Sequence, residues 1–129
     1  MSEDNVELVH RGIESAEAFW AMLDEDVVWD LRAFPFLDLD PVYIGRDAVI
    51  KASRHYWGTW VEYRLDADEV IDAGSKVLVT VHERMRGKGS GLPWDRRWAQ
   101  VWTFDGGRVV RWELFQNKAE ALEAAGLAE

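Results

Sequence analysis

Two hydrophobic periods divide the chain. Up to about residue 60 the apolar positions recur mostly at helical spacing, and beyond it they alternate. Val6, Val9, Ile13 and Ala16, continued by Phe19, Trp20 and Leu23, predict one long amphipathic helix. Asp4 can cap it, with Glu7 three residues on as in a capping box, and Asp24-Glu25-Asp26 ends it. Val27-Val28-Trp29-Asp30-Leu31 is β-branched and aromatic and reads as a strand with Asp30 inside it. The stretch 34–43 holds Pro35, Pro41 and two aspartates and reads as loop. It is nevertheless apolar, with Phe34, Phe36, Leu37 and Leu39, which suits a lid over a pocket or simple packing on the body. A second helix is expected over 46–57, with Val49, Ala52, Ser53 and Tyr56 inward and Gly58 as its stop.

From Trp60 onward the texture is β. Val61 to Leu65 alternates, Asp72 to Lys76 is a hairpin turn, and Lys76 to Arg86 is a long strand. Gly87-Lys88-Gly89-Ser90-Gly91 is a turn, and Pro93 stands at the start of the next strand, which runs to Phe104. Asp105-Gly106-Gly107 turns into a last strand over 108–116. Asn117 with Glu120 begins a closing helix that Gly126 stops. Helices followed by a strand meander predict a single α+β domain over 1–129, with helices on one face of a sheet that curls.

Composition narrows the function classes. The 129 residues are 48% hydrophobic and include 8 Trp, enough for a core and for an aromatic-walled pocket. A net charge of −9 repels phosphate backbones and anionic bilayers, so neither nucleic acid nor membrane is an expected partner. The chain has no cysteine, which removes disulfides and thiolate chemistry, and its 3 His are too dispersed for a metal motif. The acidic start MSEDNVEL is unlike a signal peptide, and a cytoplasmic protein is expected.

Four charged residues fall inside apolar strands. Asp30 either titrates in an apolar pocket, its pKa raised by burial, or caps the strand end in water. Glu83 follows Val77, Val79 and Val81 at period two, so alternation turns it inward, unless a bulge flips the strand. Arg111 and Glu113 share a strand face with Cα atoms ~7 Å apart. Phe115 lies on that face, with Trp112 and Leu114 on the other. The pair either serves a pocket or is a structural ion pair.

Several segments carry a family resemblance. Val42-Tyr43-Ile44-Gly45-Arg46, the Gly-rich turn at 87–91, the run from Ala99 through Gly106-Gly107 to Trp112, and the ending 118–127 resemble the SnoaL-like polyketide cyclases of the nuclear-transport-factor-2-like superfamily. The resemblance implies a cone: a strongly curved, mainly antiparallel sheet wrapped around N-terminal helices, closed by a short C-terminal helix. It also implies a pocket at the open end, lined by the Phe115 face, for a small apolar ligand, and a homodimer through the outer sheet face. No cofactor is expected. Asp30 falls where ketosteroid isomerase has its general base and Gln100 where it has an oxyanion-stabilising acid. Its tyrosine falls near Gly12, which speaks against steroid chemistry. The resemblance thus implies a cyclase, isomerase or dehydratase with Asp30, Glu113, Arg111 and Gln100 as catalytic candidates. Trp29, Tyr56, Glu83, Trp98, Trp102 and Phe115 would shape the pocket. A non-catalytic binding dimer is the alternative. An epoxide hydrolase is a weaker one, since Glu83-Arg84-Met85-Arg86 has an arginine where that enzyme's first aspartate should be. The run-on from Ile13 to Phe19 departs from the family's break between two N-terminal helices.

Overall fold

The computed structural model describes residues 2–36 and 38–127, so Leu37 of the expected apolar loop lies outside the described residues. The helical start is broken, contrary to the continuous helix expected from its periodicity. Helix α1 spans Ser2–Glu14 and α2 spans Ala16–Ala21. Ser15 between them is extended, and its hydroxyl accepts from the Ala18 N–H at 3.2 Å. A serine that can bind nearby backbone competes with the helix it sits in, and here it restarts the helix as an N-cap. The acidic run at 24–26 does not terminate a helix either. It belongs to strand β1, Leu23–Asp30, because Leu23 is already paired with Val109 across the sheet.

Strand β2 (Val42–Ile44) is a short edge that the loop-like composition hid. Helix α3 (Arg46–Gly58) runs one residue past its expected end. The meander follows as β3 (Trp60–Ala73), β4 (Lys76–Gly87), β5 (Pro93–Asp105) and β6 (Arg108–Phe115), then α4 (Lys118–Ala124). Asn117 caps α4, accepting from the Glu120 N–H at 3.0 Å. The strands form one curved, unclosed sheet in the order β2-β1-β6-β5-β4-β3, antiparallel except for the β1–β6 pair. The α+β expectation therefore holds, with one correction to the layering. Helices α1 to α3 pack on the inner face against Val77, Val79, Trp98, Trp102 and Trp112. Helix α4 packs on the outer face, with Ala121 and Ala125 against Leu78, Ala99 and Val101. No described helix is long and apolar enough to cross a membrane.

Register decides which side chains reach the interior. The β4–β5 ladder is uninterrupted from Lys76↔Thr103 to Arg86↔Pro93, so Val77, Val79, Val81, Glu83 and Met85 all turn inward. On the other side of β4 the ladder is irregular, because pairing of β3 with β4 shifts between Val61 and Arg64 and again between Ala67 and Glu69. Glu62 in the first bulge has φ 52°, a left-handed conformation that a non-glycine residue adopts only under constraint.

Candidate functional site

An aromatic cavity lies between the inner sheet face and helices α1 to α3. Trp29, Trp98, Trp102 and Trp112 form its sheet wall, with Phe19 and Tyr56 on the helical side. Trp29 and Trp112 stack at 4.3 Å with an interplanar angle of 8°. The void is about 450 Å³ including its mouth, but the room for water-sized molecules is about 30 Å³, enough for one or two waters. A larger guest therefore enters by moving wall side chains. Two surface hollows adjoin the cavity. One passes Trp57 and Tyr63 beside Gly12, and the other passes Phe36 and Tyr56.

Behind one wall sits a charged cluster. Glu83 is 0% exposed, and its cross-strand neighbours are Arg96 on β5 and Leu65 on β3. Arg96 Nε donates to Glu83 Oε1 at 2.7 Å, while the hydroxyls of Tyr56 and Tyr63 both donate to Oε2, at 2.9 and 2.5 Å. Arg96 Nη2 donates in turn to the Tyr56 hydroxyl at 2.6 Å. Arg96 also lies over the rings of Phe34 and Phe36, at 5.4 and 5.6 Å, so these two residues roof the cluster. A buried carboxylate is tolerable only when paired and hydrogen-bonded, and these three donors meet that need. Burial, and then the Glu83 charge, push both tyrosine hydroxyls well above the ordinary phenol range. Burial opposes the Arg96 charge, yet Tyr56 and Glu83 outweigh it and hold the guanidinium above its ordinary value.

Gln100 is the second polar feature. It is 2% exposed, and its Oε1 accepts from Trp102 Nε1 at 2.6 Å and Trp112 Nε1 at 3.0 Å. An indole N–H can only donate, so both must meet the amide oxygen. This fixes the amide orientation and leaves Nε2 as the end not engaged by them.

The residues singled out in the sequence divide between the two faces. Trp29, Tyr56, Trp98, Gln100 and Trp102 line the cavity, and Glu83 lies just behind its tyrosines. Asp30, Arg111, Glu113 and Phe115 come together on the opposite, outer face. Trp112 and Leu114 take the inward positions of β6, because Trp112 stacks on Trp29, and alternation sends Arg111, Glu113 and Phe115 outward. The expectation that the Phe115 face lines the pocket is thus corrected. Asp30 is paired in parallel with Glu113 and bonded to Arg32 Nη2 at 2.8 Å and Arg111 Nη2 at 2.5 Å. Arg111 Nε lies 3.5 Å from Glu113. The Asp30 pKa moves opposite to the expected direction: the Arg32 hydrogen bond holds the carboxyl below its ordinary value, against the effect of burial. Arg84 also faces outward, bonded to Asp66 at 2.6 Å, so no epoxide-hydrolase-like set assembles inside.

Tyr63 and Arg96 were missed. Tyr63 had a readable signal, since it alternates with Leu65 and both line the cavity; the bulge displaces Val61 instead. Arg96 lies in the charged stretch Asp95-Arg96-Arg97, which has the pattern of a solvated strand end, although a buried Glu83 calls for a cation on its neighbouring strand. Among the described residues no cluster of His, Asp and Glu could hold a metal ion.

Comparisons with known proteins agree with this architecture. The family model of the SnoaL-like domain matches residues 7–112. An NTF2-like protein of unknown function from Burkholderia pseudomallei is 26% identical, with a TM-score of 0.75 over 93% of this chain and 95% of that one. A Jannaschia sp. protein assigned to the SnoaL-like polyketide cyclases is 16% identical, with a TM-score of 0.76 over 98% and 94%. TerC, co-crystallised with polyporic acid, is 18% identical, with a TM-score of 0.70 over 95% and 98%. No curated protein matches the chain. On the match to residues 7–112, the chain belongs to the SnoaL-like domain family.

Proposed function

We propose that this chain binds a small apolar molecule bearing carbonyl or hydroxyl oxygen in its tryptophan-lined cavity, and acts on it by cofactor-free acid–base chemistry of the cyclase or isomerase type. The observation that carries this reading is the convergence of two tyrosine hydroxyls from the cavity wall on one oxygen of the buried Glu83. Tyr63 gives the cavity access to that carboxylate. Its oxygen can take a proton from a carbon acid while its own proton passes to Glu83 Oε2, and the reverse movement returns a proton to the product. Gln100 Nε2 would hold the oxygen on which charge develops. A homodimer through the outer sheet face belongs to the same proposal. That face is ion-paired over β3 to β5, by Arg84–Asp66 and Arg97–Asp68, so such an interface would be polar.

A second reading, a non-catalytic binding protein, is favoured by a specific feature. Glu83 already accepts from three donors, one of them the Arg96 guanidinium, so its oxygens are engaged before any ligand arrives. Tyr63→Phe separates the two. Ligands would first be found by quenching of tryptophan emission. The enzyme reading expects a bound ligand to be converted by the wild type, with Tyr63→Phe lowering turnover by about 100-fold or more and leaving affinity within about threefold. Failure of the wild type to convert any tightly bound ligand would leave the binding reading in place.

A further inference from the structure

The polar atoms of the cavity wall are unevenly used. Its side-chain acceptors are already engaged: Glu83 by Tyr56, Tyr63 and Arg96, Gln100 Oε1 by two indoles, and Ser53 Oγ by Trp20 Nε1 at 2.9 Å. Some donors are not. Among the described residues Trp29 Nε1 and Trp98 Nε1 are buried with no acceptor, and both side chains line the cavity, 2% and 6% exposed. Gln100 adds a donor whose orientation is set, because the indoles of Trp102 and Trp112 hold its Oε1 and leave Nε2 as the other end of the amide. A buried donor without a partner is a standing cost of about 1–3 kcal/mol, and an apolar wall with two of them is matched by a guest that brings acceptors.

Charge limits the guest further. The carboxylate of Glu83 and the guanidinium of Arg96 balance each other at 2.7 Å. A second anion beside Glu83 would have no free counter-ion. A cation would compete with Arg96 for a carboxylate already saturated with donors.

We propose that the cavity selects an uncharged ligand whose oxygens only accept hydrogen bonds, a ketone, ether or quinone type, and rejects carboxylates, ammonium groups and plain hydrocarbons of the same shape. This rests on the cavity being the ligand site, and it narrows that reading from carbonyl or hydroxyl compounds to acceptor oxygens. Tyr63 keeps lone pairs that a hydroxyl could address, but the unpartnered indoles and the Gln100 amide have no use for a donor.

A matched set on one skeleton tests it: 1-indanone, indane, indane-1-carboxylate and 1-aminoindane, each titrated against tryptophan emission of the intact protein. The expected result is that 1-indanone binds at least tenfold tighter than each of the other three. Two variants locate the effect. Trp98→Phe and Trp29→Phe each remove one unpartnered wall N–H while keeping an aromatic ring in place. Each should bring the ketone-to-hydrocarbon affinity ratio toward one while leaving indane binding within about threefold. Equal binding of the hydrocarbon, or tighter binding of the carboxylate or the amine, overturns the acceptor rule and leaves the cavity as a ligand site. If no member of the set binds the wild-type protein, the cavity reading itself fails and the rule fails with it. An unchanged ratio in both variants, with the ketone still preferred, would move the recognition elsewhere and also overturn the proposal.

Discussion

At the scale of single residues, the acidic groups differ by what their neighbours supply. Glu83 sits in the interior with three donors around it, whereas Asp30, read in the sequence as the buried base, is held on the outer face by Arg32 and Arg111. The shift of Asp30 is downward, so its sign is that of a stabilising carboxylate. Its contribution is fully present above the ordinary value of 3.8 and is lost as pH falls through the lowered native value. Asp30→Asn should therefore lower stability at neutral pH by roughly 1–3 kcal/mol, the size of hydrogen bonds to a charged group. The gap between variant and wild type should close as the pH is taken well below 3.8. Urea midpoints across a pH series measure this, and a gap that widens in acid would contradict the assignment. Sequence placed Glu83 inside because period-two alternation is a local property. It misplaced the environment of Asp30 because Arg111 reaches it from the far end of the chain, across a parallel pairing that no local pattern encodes.

At the scale of elements, one bulge shapes the site. Between Val61 and Arg64 two residues of β3 face one of β4, so Val61 and Arg64 both remain outward while Tyr63 turns toward Glu83. The left-handed Glu62 makes this possible, at a conformational cost that L-residues bear and glycine avoids. Comparing Glu62→Gly with Glu62→Ala isolates that cost, because both variants lose the same exposed contact to Arg86. The glycine variant should be the more stable by about 1 kcal/mol in denaturant unfolding. The opposite order would mean that the bulge relaxes once the side chain is gone. The same element shows why the site was only partly legible. The helices, the long strands and their Gly-rich turns follow from periods and turn chemistry. A bulge leaves no mark in alternation except its failure, and Val61 to Leu65 reads as an ordinary strand. The outward turn of Arg111, Glu113 and Phe115 had a readable local signal, since Trp112 and Leu114 are the more apolar alternates on β6. Lining the pocket with the Phe115 face followed the family resemblance over that signal.

At the scale of the molecule, the cavity exists because helix α1 approaches the sheet closely but does not fill the space behind it. Gly12 is a point of close approach. A Cβ added there would lie 2.5 Å from Trp102 Cη2 and 2.9 Å from Cζ3, with Phe19 Cδ1 at 3.4 Å. The Trp102 ring cannot yield freely, because its N–H is held by Gln100 at 2.6 Å and its face is packed by Phe19 at 4.8 Å. Its rim must move toward the cavity, whose remaining room is already small. Overpacking of this kind costs about 1–3 kcal/mol, while alanine in place of glycine returns up to about 1 kcal/mol of helix stability. Gly12→Ala should therefore unfold at a free energy lower by about 0–3 kcal/mol. Its effect on binding should be larger in proportion: affinity for the tightest ligand of the wild type should fall about tenfold or more, the equivalent of about 1.4 kcal/mol, with no polar group altered. Parallel unfolding and emission titrations separate the two effects. A variant that loses stability yet binds as well as the wild type would show that the ligand does not rest against Trp102, and the search for its site would move to the hollow beside Phe36 and Trp60.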